Sequence, residues 1–221
     1  MTFNGDVLLT EPLDLPAGKR LHFVIVDLAG AKDTTEILQG LQDGYPYFAY
    51  ATEIQSSVRR LLGAENETRV RAAVAAVRAA DGAALGSLMQ ASQAAWDENI
   101  AACPAQLAAP KLHALLAHEA LQPLLFGGKG VGSQGDGTAQ LLCVSREAQV
   151  EAAALVERDF AGMQCFELTL RHSADNARVL QTAQEPASTE ESVAAQMPRT
   201  SSAAFTLAEQ VKIPPAAAVN S

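Results

Sequence analysis

The chain has 221 residues, 48% hydrophobic and 19% charged, with a formal net charge of -9 and a pI near 4.9. That length supplies one good-sized core or two small ones, and the acidic balance argues against nucleic acid or an anionic membrane as the partner. No apolar run approaches the roughly 20 residues of a spanning helix, and no basic-then-apolar leader opens the chain. Three cysteines without C-x-x-C spacing (Cys103, Cys143, Cys165) fit reduced thiols in a cytoplasmic protein.

Phe3 to Thr10 reads as two short strand pieces around Asn4-Gly5-Asp6, a hairpin signal. Pro12, Pro16 and Gly18 then interrupt regular structure. Leu21 to Asp27 (LHFVIVD) is an almost continuous β-branched and apolar run, the pattern of a buried central strand. Past a short loop, Asp33 as N-cap and Glu36 three residues on form a capping-box arrangement. The helix they open carries Ile37, Leu38 and Leu41 on one face and is closed by Gly40, Gly44 and Pro46.

Residues 51–98 read as helical in three pieces, with predicted inward faces at Ile54, Val58, Leu61 and Leu62, then Val70, Val74 and Val77, then Leu85, Leu88, Met89, Ser92 and Trp96. Trp96 is expected as a core anchor. Leu112, Leu115 and Leu116 mark a further short helix after Pro110.

Gly127 to Leu142 reads GGKGVGSQGDGTAQLL, with six of the chain's fifteen glycines inside eleven positions. It joins an apolar strand-like run at about 121–128 to another at 138–144. Two readings fit: an ordinary hairpin turn, or a loop whose bare backbone lets a ligand approach its amides. Arg146 to Phe160 is an alanine-rich helix with Val150, Ala154, Leu155 and Val156 predicted inward, and Met163 to Leu170 alternates as a half-buried strand. From Arg171 onward Ser, Thr, Ala, Gln, Glu and Pro dominate, so residues 171–221 are expected to form a disordered tail behind a domain at 1–170. The element order is βαββαβ with an enlarged first helical connection. It predicts an α+β, ferredoxin-like antiparallel sheet with helices on one face.

Lys129-Gly130-Val131-Gly132-Ser133-Gln134-Gly135-Asp136-Gly137-Thr138 resembles, without gaps, the third motif K-x-T-G-A-G-x-G-G-C of the GHMP kinases. Lys129, Gly132, Gly135 and Gly137 match, while Val131, Ser133, Gln134 and Thr138 depart from it. Leu85-Gly86-Ser87-Leu88-Met89 resembles the family's L-G-x-L-M helix, with Gln93 where Asn or His is frequent. Asp27 to Leu38 resembles the strand-loop-helix that faces the phosphate acceptor. The likeness spans roughly residues 3–170 and is to the C-terminal domain. The family's P-x-x-x-G-L-G-S-S-A loop, which belongs to its N-terminal half, has no counterpart here. The resemblance therefore implies the second half of such an enzyme, and a separate N-terminal half as a partner.

On that resemblance, ATP and Mg²⁺ are the implied cofactors and a hydroxyl of a sugar or mevalonate-like acid is the implied acceptor. Gly132, Ser133, Gly135 and Gly137 would donate amides to the nucleotide phosphates, with Lys129 adding positive charge; a solvated strand-end lysine is the alternative for Lys129. Lys32, Thr34 and Asp136 would touch the acceptor, against the alternatives that Asp33-Thr34 only starts a helix and Asp136 only supports a turn. No catalytic residue is assigned, and His22, His113, His118 and His172 lack ligand spacing, so no metal site is expected on the chain. The competing function is a non-catalytic, ferredoxin-like binding or regulatory module.

Overall fold

The computed structural model describes residues 2–4, 7–45, 52–99 and 104–174. The link at Gly5-Asp6, Pro46, Cys103 and the tail from 175 onward lie outside the described residues.

Strands β1 (Thr2–Asn4) and β2 (Val7–Leu9) pair as a small antiparallel hairpin. The main sheet has four antiparallel strands: β3 (Arg20–Asp27), β4 (Leu125–Gly130), β5 (Thr138–Cys143) and β6 (Gln164–Arg171). Their order is β4-β5-β3-β6, so β3 and β5 are interior and β4 and β6 are edges. Between β3 and β4 lie helices α1 (Thr34–Asp43), α2 (Glu53–Leu62), α3 (Ala64–Ala79), α4 (Gly82–Glu98), α5 (Pro104–Leu107) and α6 (Pro110–Leu116). Helix α7 (Arg146–Asp159) joins β5 to β6.

Helices cover both faces of this sheet, not one as the element order led us to expect. Val24 and Val26 of β3 and Ala139 and Leu141 of β5 pack against Leu112 and Leu115 of α6 and Ala148, Ala152 and Val156 of α7. The alternate residues, Leu21, Phe23 and Leu142, pack against Ala76 of α3 and Leu85 and Met89 of α4. The reason is visible in β3: an unbroken apolar run has apolar side chains on both faces, and each face needs a cover. A third cluster joins Ile37 and Leu41 of α1, Val58 and Leu61 of α2 and Leu107, with Trp96 packed against it as anticipated.

Several predicted faces are rotated. In α3 the buried residue is Ala76, and Val70 is exposed; in α7, Ala148, Gln149, Ala152 and Val156 point inward while Val150 and Ala154 face out. Both helices are rich in alanine, so the larger aliphatics mislead: alanine lets a helix sit close to its neighbour. The predicted strand at 121–128 is a 3₁₀ turn over Glu119–Leu124 followed by β4, because Pro123 has no N–H for a ladder.

The seam between α4 and β4 is tightest. A Cβ on Gly86 would lie 2.4 Å from the carbonyl carbon and oxygen of Phe126, and one on Gly127 would lie 2.4 Å from the Gly86 carbonyl oxygen. Helix and strand therefore touch backbone to backbone. On the other edge, Phe166, Leu168 and Leu170 of β6 stand opposite Ile25, Phe23 and Leu21 in the register, yet remain 56%, 43% and 37% exposed. Helices α3 and α4 stop short of them.

Gly86→Ala is expected to force this seam apart at a cost of about 2 kcal/mol, a fall in Tm on the order of 5 °C for a domain of this size. An unchanged thermal unfolding curve would show that α4 does not rest on bare backbone.

Candidate functional site

The glycine-rich stretch divides into two parts with different jobs. Gly127, Gly128 and Gly130 belong to β4, and each is a packing residue. A Cβ on Gly128 would meet Leu141 and Leu116 at 2.7 and 2.8 Å, and one on Gly130 would meet Gln134 Oε1 at 2.2 Å. The loop proper is Val131 to Gly137. Backbone φ is +64° at Gly132, +64° at Gln134 and +71° at Gly135, a left-handed turn that glycine adopts freely and glutamine at a cost of roughly 1–2 kcal/mol.

Only two loop N–H groups are used internally. Val131 donates to Thr138 O at 2.9 Å and Gln134 to Val131 O at 3.3 Å. The N–H groups of Gly132, Ser133, Gly135, Asp136 and Gly137 have no hydrogen-bond partner among the described residues. Five free donors in one short turn are what an anion needs, whereas an ordinary hairpin turn closes on itself.

The loop is held from three sides. Gly130 N–H, at its entrance, donates to Gln93 Oε1 at 2.8 Å, and Gln93 Nε2 donates to Asp97 Oδ1 at 2.8 Å. Asp136 Oδ1 accepts from Leu112 N–H at 2.9 Å. Helix α6 begins at Ala109-Pro110 with no side-chain cap of its own, so Asp136 supplies from a distance the cap that its sequence lacks. Lys32 Nζ donates to Gln134 O at 2.8 Å, and its stem lies where a Cβ on Gly137 would stand and alongside Gly135. Lys32 is thus laid across the loop, and its ammonium has two further hydrogens to give.

Thr34 is exposed at the first residue of α1, beside Lys32. The two share with Ala31, Asp33 and Gln106 the wall of an open hollow of ≈ 530 Å³. The capping box expected at Asp33 is not formed as a pair. Asp33 accepts from Glu36 N–H, but its own N–H goes to Gln106 Oε1 at 2.9 Å, while Gln106 Nε2 reaches Glu36 Oε2. Gln106 also presents its carbonyl oxygen toward Gly135. Nothing in the linear pattern marks Gln106. Gln93 leaves a trace: it continues the Leu85, Met89 spacing on the inward face of α4, a polar residue where an apolar one is expected.

Lys129 Nζ donates to Gly130 O at 2.5 Å. Burial lowers the affinity of both Lys129 and Lys32 for their protons. Asp27 Oδ1 accepts from Ala29 N–H and so serves its own turn. Burial pushes the Cys143 thiol up to about 12 and the Cys165 thiol up to about 11, so neither is a nucleophile at neutral pH. Among the described residues no group of three His, Cys, Asp or Glu could hold a metal ion, and no helix is long and apolar enough to cross a membrane.

No family model matches the chain, and no curated protein matches it in sequence. Solved structures do match in fold. The L. major mevalonate kinase in complex with R-mevalonate aligns with a TM-score of 0.55 at 16% identity, over 74% of this chain and 45% of that one. The Streptococcus pneumoniae phosphomevalonate kinase aligns with a TM-score of 0.51 at 12% identity, over 70% of this chain and 42% of that one. The chain matches less than half the length of either kinase. It shares the fold of part of a GHMP kinase.

Two outcomes follow from the way the loop is held. Asp136→Ala is expected to speed amide exchange at Leu112 and to cost about 1 kcal/mol; exchange at the parent rate would remove Asp136 from the cap. Lys129→Met is expected to raise Tm at pH 7, because the folded lysine pKa lies below its unfolded value and the charged form is the penalised one. The gain should be full below the depressed folded pKa and shrink as pH climbs toward the free lysine value of 10.5. A gain that is flat with pH would mean that charge burial is not its cause.

Proposed function

We propose that this chain is the C-terminal, substrate-side half of an ATP-dependent small-molecule kinase of GHMP type. The reaction is transfer of the ATP γ-phosphate to a hydroxyl of a sugar or a mevalonate-like acid. The observation that carries this reading is the set of five unengaged amides at Gly132, Ser133, Gly135, Asp136 and Gly137, with the Lys32 ammonium at their side. The strand order β4-β5-β3-β6 supports the ferredoxin-like reading of the sheet, with α1 to α6 as the enlarged connection between its first two strands.

Phosphoryl transfer asks a protein chiefly for positioning and for neutralising charge. Backbone donors fixed by a rigid frame do this without reorganising at the moment of reaction. In this chain the amides would hold phosphate oxygens, and Lys32, half-buried and already anchored at Gln134, would add positive charge between them and the hollow. Thr34 and Lys32, on the wall of that hollow, would meet the acceptor. The donor set suits the phosphates of ATP. Mg²⁺ would ride on those phosphates, since the described residues offer it no ligand cluster.

A second reading has an observation of its own. Asp136 in the loop and Asp27 at the strand end beside it each accept a backbone N–H, which gives both carboxylates a structural duty. A chain with phosphate donors and no base would bind a nucleotide without turning it over, as a binding or regulatory module does. Calorimetric titration with MgATP, and turnover assays with galactose and mevalonate for the chain alone and with a complementary N-terminal half, separate the two. Turnover in either setting supports the kinase; binding without turnover in both supports the module.

Gly132→Ala is the sharpest variant. Apart from its chain neighbours nothing lies within 4 Å of the added methyl, so its cost is confined to the left-handed φ of +64°, about 1 kcal/mol for an alanine. It is expected to weaken MgATP binding about tenfold with secondary structure intact. Unchanged affinity would remove the loop from the binding site.

A further inference from the structure

The opposite end of the sheet carries a second cluster of charge. Arg20, at the start of β3, stands directly opposite Arg171, at the end of β6, in the antiparallel register. Like charges facing each other across a strand pair repel. Neither guanidinium has a carboxylate or any other hydrogen-bond partner among the described residues. On the same face and two register steps inward are His22 and Thr169, with His22 Nδ1 and Thr169 Oγ1 3.2 Å apart. Arg146, the first residue of α7, closes the group from above and is held by Glu167 at 2.5 Å and Gln149 at 2.6 Å.

These residues line a hollow of ≈ 370 Å³ bounded by Arg20, His22, Arg146, Glu167, Thr169 and Arg171. Three guanidiniums face it against one carboxylate, and that carboxylate is already engaged by Arg146. In a chain of net charge -9, such a concentration of unpaired positive charge is out of keeping with the rest of the surface. We propose that this hollow is a binding site for a small molecule bearing a multiply charged phosphoryl group, gripped by the forks of Arg20 and Arg171. Guanidinium forks match phosphate oxygens in pairs. A dianion between them would relieve the repulsion that the register otherwise leaves standing, and the Thr169 hydroxyl and His22 ring offer further hydrogen bonds beneath.

The site is separate from the glycine loop. The loop lies beside the Asp27 end of β3, where Leu28 N–H meets Gly137 O at 3.0 Å, and Arg20 is the other end of the same strand. Eight residues of strand put roughly 23 Å between the two ends. A single small ligand cannot reach both, so an occupant here acts from a distance.

His22 is the built-in reporter. Burial holds its imidazole below the usual histidine range; a hydrogen bond with Gln149 opposes that, Arg146 and Arg20 push the same way as burial, and Glu147 opposes them. A bound anion should raise it. The experiment follows the His22 ring signals by NMR at fixed pH near neutrality while inorganic pyrophosphate is added to the full chain. The expected result is a saturable shift toward the protonated imidazole, weakened about tenfold or more by Arg20→Gln and by Arg171→Gln and unchanged by Gly132→Ala. Arg20 is exposed, so that variant keeps its fold and any loss of binding is read cleanly. Three results overturn the proposal: no saturable shift, an equal effect from Arg59→Gln on α2, or loss of the shift with Gly132→Ala. The second would mean bulk charge, and the third would mean that pyrophosphate is seen at the glycine loop instead.

Discussion

The contact on which the site depends is the meeting of α4 and β4 at Gly86 and Gly127. Two backbones approach there with no side chain between them, which fixes the height of the strand relative to the helix. From that seam Gln93, two turns further along α4, reaches the N–H of Gly130 and sets where the strand ends. The turn that follows starts from this contact and is tied further by Asp136 and Lys32, so its amides are carried on a fixed base rather than a loose hairpin. Rigid placement is what gives backbone dipoles their value to a developing or resident anion.

The same logic explains why so many glycines sit together. Those in β4 answer to packing against Gly86, Leu116, Leu141 and Gln134. Those in the turn answer to backbone angle at Gly132 and Gly135. One run of sequence thus combines two unrelated requirements, and only the second shapes the turn proposed to meet a ligand. Lys32 ties the turn to the hollow beside α1, and Asp136 ties it to α6.

The strands and helices were legible from the chain because β3 is unbroken and apolar, Asp33 accepts from the backbone at its helix start, and Trp96 is large enough to anchor a core. The division of labour within the glycine run was not legible, since a glycine needed for space and one needed for angle look alike in one dimension. Helix faces were misread where alanine does the packing, as at Ala76 and Ala152. At the site, Lys32 and Thr34 could be singled out through the resemblance of residues 27–38 to the GHMP strand-loop-helix, whereas the Gln106 side chain acts through contacts 73 and 70 residues away in sequence. Arg20 and Arg171 were invisible as a pair until the register brought them face to face.

The bare ladder of Phe166, Leu168 and Leu170 on β6 has a practical side. Among the described residues it couples an unpaired strand edge with a greasy flank, the combination most prone to pairing with whatever strand it meets. Purified by itself at high concentration, the protein will be sticky. Polar replacements at these three positions, which alternate with Glu167, Thr169 and Arg171 and so lie on the opposite face of β6 from the arginine hollow, are where a crystallographer seeking a well-behaved sample should begin.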